Sequence, residues 1–177
     1  MAKFRRYYDE GEKNYLDFTV FIIHGHSPEI HKVERFIKDE LNFNAVVLQN
    51  SFTGKNIIDK FKDEVWESAS CAVAIMSPDD KLNDGNFRAR QNVIYELGYC
   101  SGVFDWYYNE DMDEEGDDFD SEPVIIIKER SIDMRDLSDL LGVEYLEYSQ
   151  GSIEAVFTKL RKALNNLYEE IGGEDDV

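Results

Sequence analysis

The most constraining feature of the sequence is the alternation of five short segments, the first four of them mainly apolar runs, with longer segments whose apolar residues recur every three to four positions. Unbroken runs of β-branched and apolar residues are typical of parallel strands buried on both faces. Strand and helix in alternation predict a doubly wound α/β sheet with right-handed crossovers. The predicted strands cover residues 18–23, 45–48, 71–76, 124–127 and 143–146.

The segments between these strands have the spacing of amphipathic helices. Ser27, followed by Pro28 and Glu29, predicts a helix start with serine as the N-cap. A short helix or turn is predicted at 134–141, and the most regular helix at 152–171. In the helix after residue 55, we expect an inner face formed by Ile57, Ile58, Phe61 and Val65.

The size and charge of the chain limit its class. With 177 residues, 42% of them hydrophobic, it suits one domain with a full core. A net charge of -19 argues against binding to nucleic acid or to an anionic membrane surface. No apolar run is long enough to span a bilayer, and residues 1–8 lack the apolar core of a signal peptide. We therefore expect a cytoplasmic protein, in which Cys71 and Cys100 are reduced core residues.

The expected domain covers residues 18–171, after a leader at 1–17 and before an acidic tail at 172–177. An acidic insert is expected at about 105–122, where nine of the residues from 110 to 122 are Asp or Glu. Part of this insert fits the spacing of an EF-hand calcium loop, but Pro123 stands where the exit helix should begin. A solvated acidic loop is the alternative interpretation, and whether the insert binds a cation stays open.

Residues 88–99 form the stretch around which the chain is arranged, reading Arg-Ala-Arg-Gln-Asn-Val-Ile-Tyr-Glu-Leu-Gly-Tyr. Two arginines precede a predicted helix, in which Asn92 and Glu96 lie four residues apart and so share a face. Gly98 and Gly102 are expected to let this helix approach the sheet closely. Glu96 is either a solvated helix residue or a carboxylate placed for chemistry, and its neighbours favour chemistry.

Ligands of doubly wound sheets bind outside the carboxyl ends of the strands. We therefore expect the other candidate binding residues to lie around one cleft at that edge of the sheet. Arg88 and Arg90 are expected either to hold a pyrophosphate or to pair with surface acids. Phe52 either stacks on a nucleobase or packs in the core, and Asp79 either orients a ribose or caps a turn. The full set of candidate binding residues is His24, Gly25, Ser27, Phe52, Asp79, Arg88, Arg90 and Asn92.

The sequence lacks the motifs of several common classes of enzyme. Gln49 and Asn56 break a P-loop around Gly54-Lys55, and no Gly-x-Gly-x-x-Gly or Gly-x-Ser-x-Gly is present. His24 and His26 have no third ligand at metal-binding spacing, so no metal is expected. A carboxylate near arginines suits cleavage of an N-glycosidic bond, because it stabilises the positive charge that grows on the sugar. The nicotinamide of NAD is already a cationic leaving group.

The motifs resemble those of a known family. The strand followed by His-Gly-His, the Gly-Lys-x-Ile-Ile-x-Lys-Phe segment at 54–61, the Ser-Pro-Asp-Asp turn and residues 88–99 carry the likeness. Over residues 18–167 the chain resembles the bacterial TIR-like (Toll/interleukin receptor) domains described as predicted nucleotide-binding proteins, which are effectors of cyclic-nucleotide-triggered antiphage systems.

This resemblance implies a flavodoxin-like TIR fold, with a five-stranded parallel sheet and helices on both faces. It also implies an enzyme that cleaves NAD, as substrate and without a cofactor, to nicotinamide and an ADP-ribose product, with Glu96 as the catalytic carboxylate. The loop at 49–55 corresponds to the loop through which TIR domains self-associate, and family members often become active as oligomers. Effectors of this family usually carry a sensor domain that binds a cyclic nucleotide, and none fits in the residues outside the resemblance. The resemblance therefore implies either a separate cyclic-nucleotide sensor protein or a chain that is a fragment of a longer effector.

Two alternatives stay open. The first is a catalytically silent TIR module that binds other TIR domains. The second is an N-glycosidase resembling the nucleoside deoxyribosyltransferases, which share a Glu-Leu-Gly-Tyr helix. Their Asp-x-Gly before the glutamate is absent, since Asp84-x-Asn86 lies too far upstream.

Overall fold

The computed structural model describes residues 18–48, 56–109, 121–132, 134 and 144–171. The predicted leader and tail, most of the acidic insert, and the predicted helix at 134–141 beyond residue 134 lie outside these ranges. The strands are β1 (Thr19–His24), β2 (Asn44–Val47), β3 (Cys71–Met76), β4 (Asp80–Lys81), β5 (Phe87–Arg88), β6 (Val124–Glu129) and β7 (Tyr145–Tyr148). The helices are α1 (Ile30–Arg35), α2 (Ile57–Glu67), α3 (Gln91–Asn109) and α4 (Phe157–Glu170).

The main sheet has five parallel strands in the order β2-β1-β3-β6-β7. This is the predicted α/β fold, and its strand order is that of flavodoxin-like proteins. The predicted strands agree with the observed ones to within two residues at each end.

The core lies on both faces of the sheet, because successive side chains of each strand point to opposite faces. In β1, Val20 and Ile22 belong to the cluster covered by α1 and α4, whereas Phe21 and Ile23 belong to the cluster covered by α2 and α3. All four side chains are essentially fully buried. Burial on both faces explains why this strand has no polar alternation.

The first helix begins later than its sequence predicts. α1 starts at Ile30 with Glu29 in the N-cap position, and Glu29 makes no side-chain capping bond. Ser27 lies in the preceding turn, where its hydroxyl accepts a hydrogen bond from the Glu29 N–H at 3.2 Å. The serine thus satisfies a backbone donor as expected, but it does so within the turn.

The packing of α2 and α3 corrects three further expectations. Ile57 and Ile58 are exposed, so the inner face of α2 consists of Phe61 and Val65. Gly98 and Gly102 have open space around the position that a Cβ would take, so they do not bring α3 close to the sheet. The sequence predicts α3 correctly, but the helix continues to Asn109 and so enters the expected insert.

The segment expected as a loop between β3 and α3 forms a small antiparallel hairpin. β4 pairs with β5, which places Asp80 opposite Arg88. The turn contains Gly85 at a φ of 90°, a left-handed conformation that glycine adopts without strain. Phe87 also forms a parallel bridge with Ile132, which ties the hairpin to the chain after β6.

The chain reverses its direction of travel across the sheet between β1 and β3. β2 lies on one side of β1 and β3 on the other, with α1 covering one face and α2 and α3 covering the opposite face. In open α/β sheets the crevice at such a switch point is where ligands bind. The loops that leave β1 and β3 therefore define the candidate site.

Candidate functional site

The loops after β1 and β3 are joined directly at the switch point. His24 of β1 pairs in register with Ile75 of β3, so the two loops that follow these strands leave the sheet side by side. The His26 backbone N–H donates to both carboxylate oxygens of Asp79, at 3.3 and 3.2 Å. The Asp79 N–H donates to the Ser77 carbonyl at 2.8 Å, a tight turn that holds the aspartate in this position.

Gly25 is required by this close approach. A Cβ at Gly25 would lie 1.8 Å from Asp79 Oδ2 and 3.2 Å from Ser77 Oγ. Ser77 is buried, and within the described ranges its hydroxyl has no hydrogen-bond partner. The Asp79 carboxylate therefore fills the space that a side chain at position 25 would take, with the buried Ser77 hydroxyl beside it.

Two arginines flank this crevice from different elements. Arg90 stands immediately before α3, and its guanidinium donates to Nε2 of His26, which ties the start of the helix to the β1 loop. Arg88 lies on β5, with Nε 4.0 Å from Oδ2 of Asp80. That Nε is buried, and its N–H donates no hydrogen bond to the described part of the chain. Because the Asp80 contact is long and both side chains are partly exposed, it is a weak ion pair.

Glu96 lies six residues beyond Arg90, about 9 Å further along the helix axis. Its side chain is half-buried on α3, and burial raises the pKa of its carboxyl to about 7. The thiol of Cys100, one turn further, is fully buried; burial raises its pKa to about 12, with a smaller contribution from the Glu96 charge. A carboxyl group that is half ionised near neutral pH can act as a base or as an electrostatic stabiliser.

Aromatic side chains border Glu96 along the helix. Tyr99 packs against Phe61 with ring centroids 5.1 Å apart, and its hydroxyl accepts a 2.7 Å hydrogen bond from Nε1 of Trp66. Tyr95 is exposed, and so is Asn92, one turn before the glutamate. Glu96 thus lies at the border between the buried and the exposed faces of α3.

Comparison with known proteins agrees with this fold. Residues 19–106 match the family described as CAP12/Pycsar effector protein, TIR domain. The chain belongs to this TIR-domain family. It is also 31% identical over 138 residues to a protein of Escherichia coli (strain K12) named uncharacterized protein YuaY. That similarity covers 74% of the chain but only 40% of YuaY, so the chain spans less than half the length of this relative.

The matched TIR region, residues 19–106, includes every residue of the predicted site. The structure joins Gly25 and Asp79 around the β1 loop, and Arg90 binds the same loop through His26. Arg88 is held by the hairpin. Asn92 and Glu96 follow on α3, and Phe52 lies outside the described residues. Every site residue keeps its predicted role as a hypothesis.

Two predicted side chains of the TIR domain already have partners. His24 donates from Nδ1 to the Gly25 carbonyl at 2.7 Å. The Ser27 hydroxyl bonds the Glu29 N–H and also interacts with the phenol of Tyr148 at the end of β7. Burial raises the pKa of Tyr148, and the hydrogen bond with Ser27 opposes this shift. Ser27 therefore fixes the β1 loop against a distant strand.

Sequence reasoning missed His26 and Ser77. The sequence suggests His26 only as a candidate metal ligand. In the structure, His26 links Asp79 to Arg90. Its position in a polar loop at a strand end was a usable signal.

Among the described residues there is no group of three His, Cys, Asp or Glu side chains that could hold a metal ion. No helix in these ranges is long and apolar enough to cross a membrane.

Proposed function

We propose that this TIR domain cleaves the nicotinamide–ribose bond of NAD and acts as an antiphage effector. The observation that carries the proposal is Glu96, a half-buried carboxyl with a pKa of about 7. It stands on the helix that Arg90 ties to the switch-point crevice. The match to the CAP12/Pycsar effector TIR domain also supports a catalytic role for this carboxylate.

The reaction needs little from the protein besides positioning and charge. The bond between C1′ of the ribose and the pyridinium nitrogen breaks, and its electron pair neutralises the nicotinamide. Positive charge grows on the ribose ring, and ionised Glu96 stabilises this charge. Water then adds to C1′ and loses a proton, which gives ADP-ribose. A cyclic product would form if a group of the ADP moiety replaced the water.

The remaining roles follow from charge and position. Arg88 and Arg90 carry guanidinium groups suited to the two phosphates of a dinucleotide. The buried Arg88 Nε makes no hydrogen bond within the described residues and only a weak ion pair with Asp80, which supports such a contact. Asp79 binds the His26 N–H and keeps lone pairs for a ribose hydroxyl. Self-association and a separate cyclic-nucleotide sensor protein belong to the same proposal.

Nicotinamide release from NAD tests the proposal. The 177-residue chain should be assayed from about 0.1 to about 100 µM protein, because association makes the rate rise faster than linearly with concentration. Glu96→Gln keeps the shape of the side chain and removes the charge. We expect it to lower kcat/KM by at least about 100-fold.

The control is Glu169→Gln, the same change at an exposed position of α4. It should release nicotinamide like the parent chain. Full activity in Glu96→Gln would refute the site, even if the chain is an NADase. No release at any concentration would leave the catalytically silent module as the better interpretation. The exposed aromatic side chains of α2 and α3 specifically favour that second candidate.

A further inference from the structure

The contact between Arg90 and His26 joins a cation to an uncharged acceptor. Nε2 of the His26 imidazole, in the loop after β1, accepts a hydrogen bond from the Arg90 guanidinium. A ring nitrogen accepts a hydrogen bond only when it carries no proton, because both nitrogens of a charged imidazole are donors. Neutral His26, with its proton on Nδ1, is therefore the form that makes this contact.

The backbone of His26 is held independently of its ring. Its N–H donates to both carboxylate oxygens of Asp79, at 3.3 and 3.2 Å. The next residue, Ser27, is buried, and its hydroxyl accepts a hydrogen bond from the Glu29 N–H at 3.2 Å. Because none of these bonds uses the imidazole, the ring at position 26 can be replaced without loss of the bonds that fix the loop.

The backbone of Arg90 is also fixed, at the start of α3. Ala89 before it is buried, and the Arg90 carbonyl accepts a hydrogen bond from the Ile94 N–H at 3.3 Å, which begins the helix. The contact with His26 then orders the arginine side chain as well. An arginine that is already ordered loses less conformational entropy when it binds a ligand.

A neutral partner orders Arg90 without cancelling its charge. Arg161 of α4, by contrast, contacts a carboxylate oxygen of Glu40 at 2.8 Å, so the two charges largely offset each other. A carboxylate beside Arg90 would compete with an anionic ligand, whereas an imidazole leaves the guanidinium positive and occupies one of its five N–H donors. The first turn of α3 contains no acidic side chain, so the helix dipole adds to this positive potential.

We propose that His26 is a positioning residue, whose neutral imidazole holds the Arg90 guanidinium ready for the phosphates of the dinucleotide. The inference rests on the proposed function in that it takes an ADP-ribose moiety as the ligand. It does not depend on cleavage, because the same phosphates are present in the product. His26 acts through Arg90, so its effect should appear in binding and should vanish when the arginine is removed.

Calorimetry with ADP-ribose on the 177-residue chain measures binding apart from cleavage. His26→Ala keeps the backbone bond to Asp79 and removes the acceptor, so we expect Kd to rise by at least about tenfold. His26→Gln supplies a carbonyl oxygen as acceptor and should return Kd to within about threefold of the parent value. Arg90→Ala should weaken binding at least as much, and adding His26→Ala to it should change Kd by less than about threefold. In the nicotinamide assay, His26→Ala should raise KM and change kcat by less than about threefold.

His31→Ala is the matched control, because the His31 side chain is 79% exposed on α1, and this variant should bind ADP-ribose like the parent. The proposal is overturned if the parent binds no ADP-ribose up to about 1 mM, or if His26→Ala binds it within about threefold of the parent. It is equally overturned if His26→Gln binds no better than His26→Ala, or if His26→Ala costs as much without Arg90 as with it. Binding that depends on His26, together with no release of nicotinamide, would refute NAD cleavage and support the positioning role.

Discussion

Gly25 shows how one residue constrains the site. The Asp79 carboxylate occupies the space that a side chain at position 25 would take, and from there it accepts a hydrogen bond from the His26 N–H. A methyl group there would overlap Oδ2 of Asp79, so either the carboxylate or the β1 loop must move. The stability of the loop and the shape of the crevice therefore depend on the same atom position.

Gly25→Ala should lower the free energy of unfolding by about 1–3 kcal/mol, because overpacking displaces Asp79 and breaks its bond to His26. Denaturant unfolding measures this change. Gly98→Ala is the matched control and should instead be stabilising, since open space surrounds that glycine. In the double variant with Asp79→Ala, the effect of Gly25→Ala should shrink. Strict additivity of the two losses would contradict the clash.

The environment of Glu96 is unfavourable to the charge of its carboxylate, because the side chain is half-buried. Burial raises the pKa of the folded-state carboxyl from 4.5 to about 7. The folded state therefore holds this proton over a range in which the unfolded state has lost it. The contribution of Glu96 to stability is best below pH 4.5, falls as the pH rises towards 7, and stays unfavourable above 7.

Glu96→Gln should remove this dependence. The variant should be more stable than the parent by about 2 kcal/mol at about pH 8.5, after allowance for the partial exposure of the side chain. At about pH 5.5 the advantage should be smaller by about 1 kcal/mol. Urea titrations at the two pH values measure the difference. An advantage that does not grow with pH would mean that burial does not destabilise the ionised carboxylate.

At the scale of single elements, the sequence predicts long periodic segments well and short ones poorly. β1 and β3 are buried on both faces, so their composition alone identifies them. β4 and β5 have two residues each, too few for any period to be visible. Their pairing depends on contacts between distant residues, such as the Phe87 bridge to Ile132.

α3 illustrates an error that helical periodicity could have prevented. Val93, Leu97, Cys100 and Phe104 are buried at spacings of four, three and four, so they define the inner side of the helix. Gly98 and Gly102 fall on the opposite side of that helix. The expectation that they approach the sheet came from their size alone, and their position on the helix decides otherwise.

The site was predicted only in part, because local sequence patterns indicate where polar residues lie but not which of them bond to each other. Strand ends and the Arg-x-Arg motif indicate where polar residues gather, and Gly25, Asp79 and Arg90 do converge on the β1 loop. The partners inside the cluster depend on tertiary contacts that no local pattern contains. The interaction of Ser27 with Tyr148 joins positions 121 residues apart, and it decides that Ser27 fixes a loop.

At the scale of the whole molecule, two electrostatic effects oppose each other. Local ion pairs hold surface elements together, such as Lys32 with Glu154 at 2.8 Å and Arg161 with Glu40 at 2.8 Å. Exposed pairs of this kind contribute at most about 1 kcal/mol each, and salt weakens them. The net charge of -19 repels itself throughout the fold, and salt relieves that repulsion. The sign of the salt dependence shows which effect is larger.

We expect the global repulsion to dominate, because the chain has 38 acidic residues and only 19 basic ones. Raising NaCl from about 0.01 to about 0.15 M shortens the Debye length from about 30 to about 8 Å, so the melting temperature should rise by several degrees near pH 8. The same series near pH 5 is the control. There the chain approaches its pI of about 4.4 and its net charge is small, so the rise should largely disappear. A melting temperature that falls with salt near pH 8 would mean that pairs such as Lys32–Glu154 outweigh the net charge.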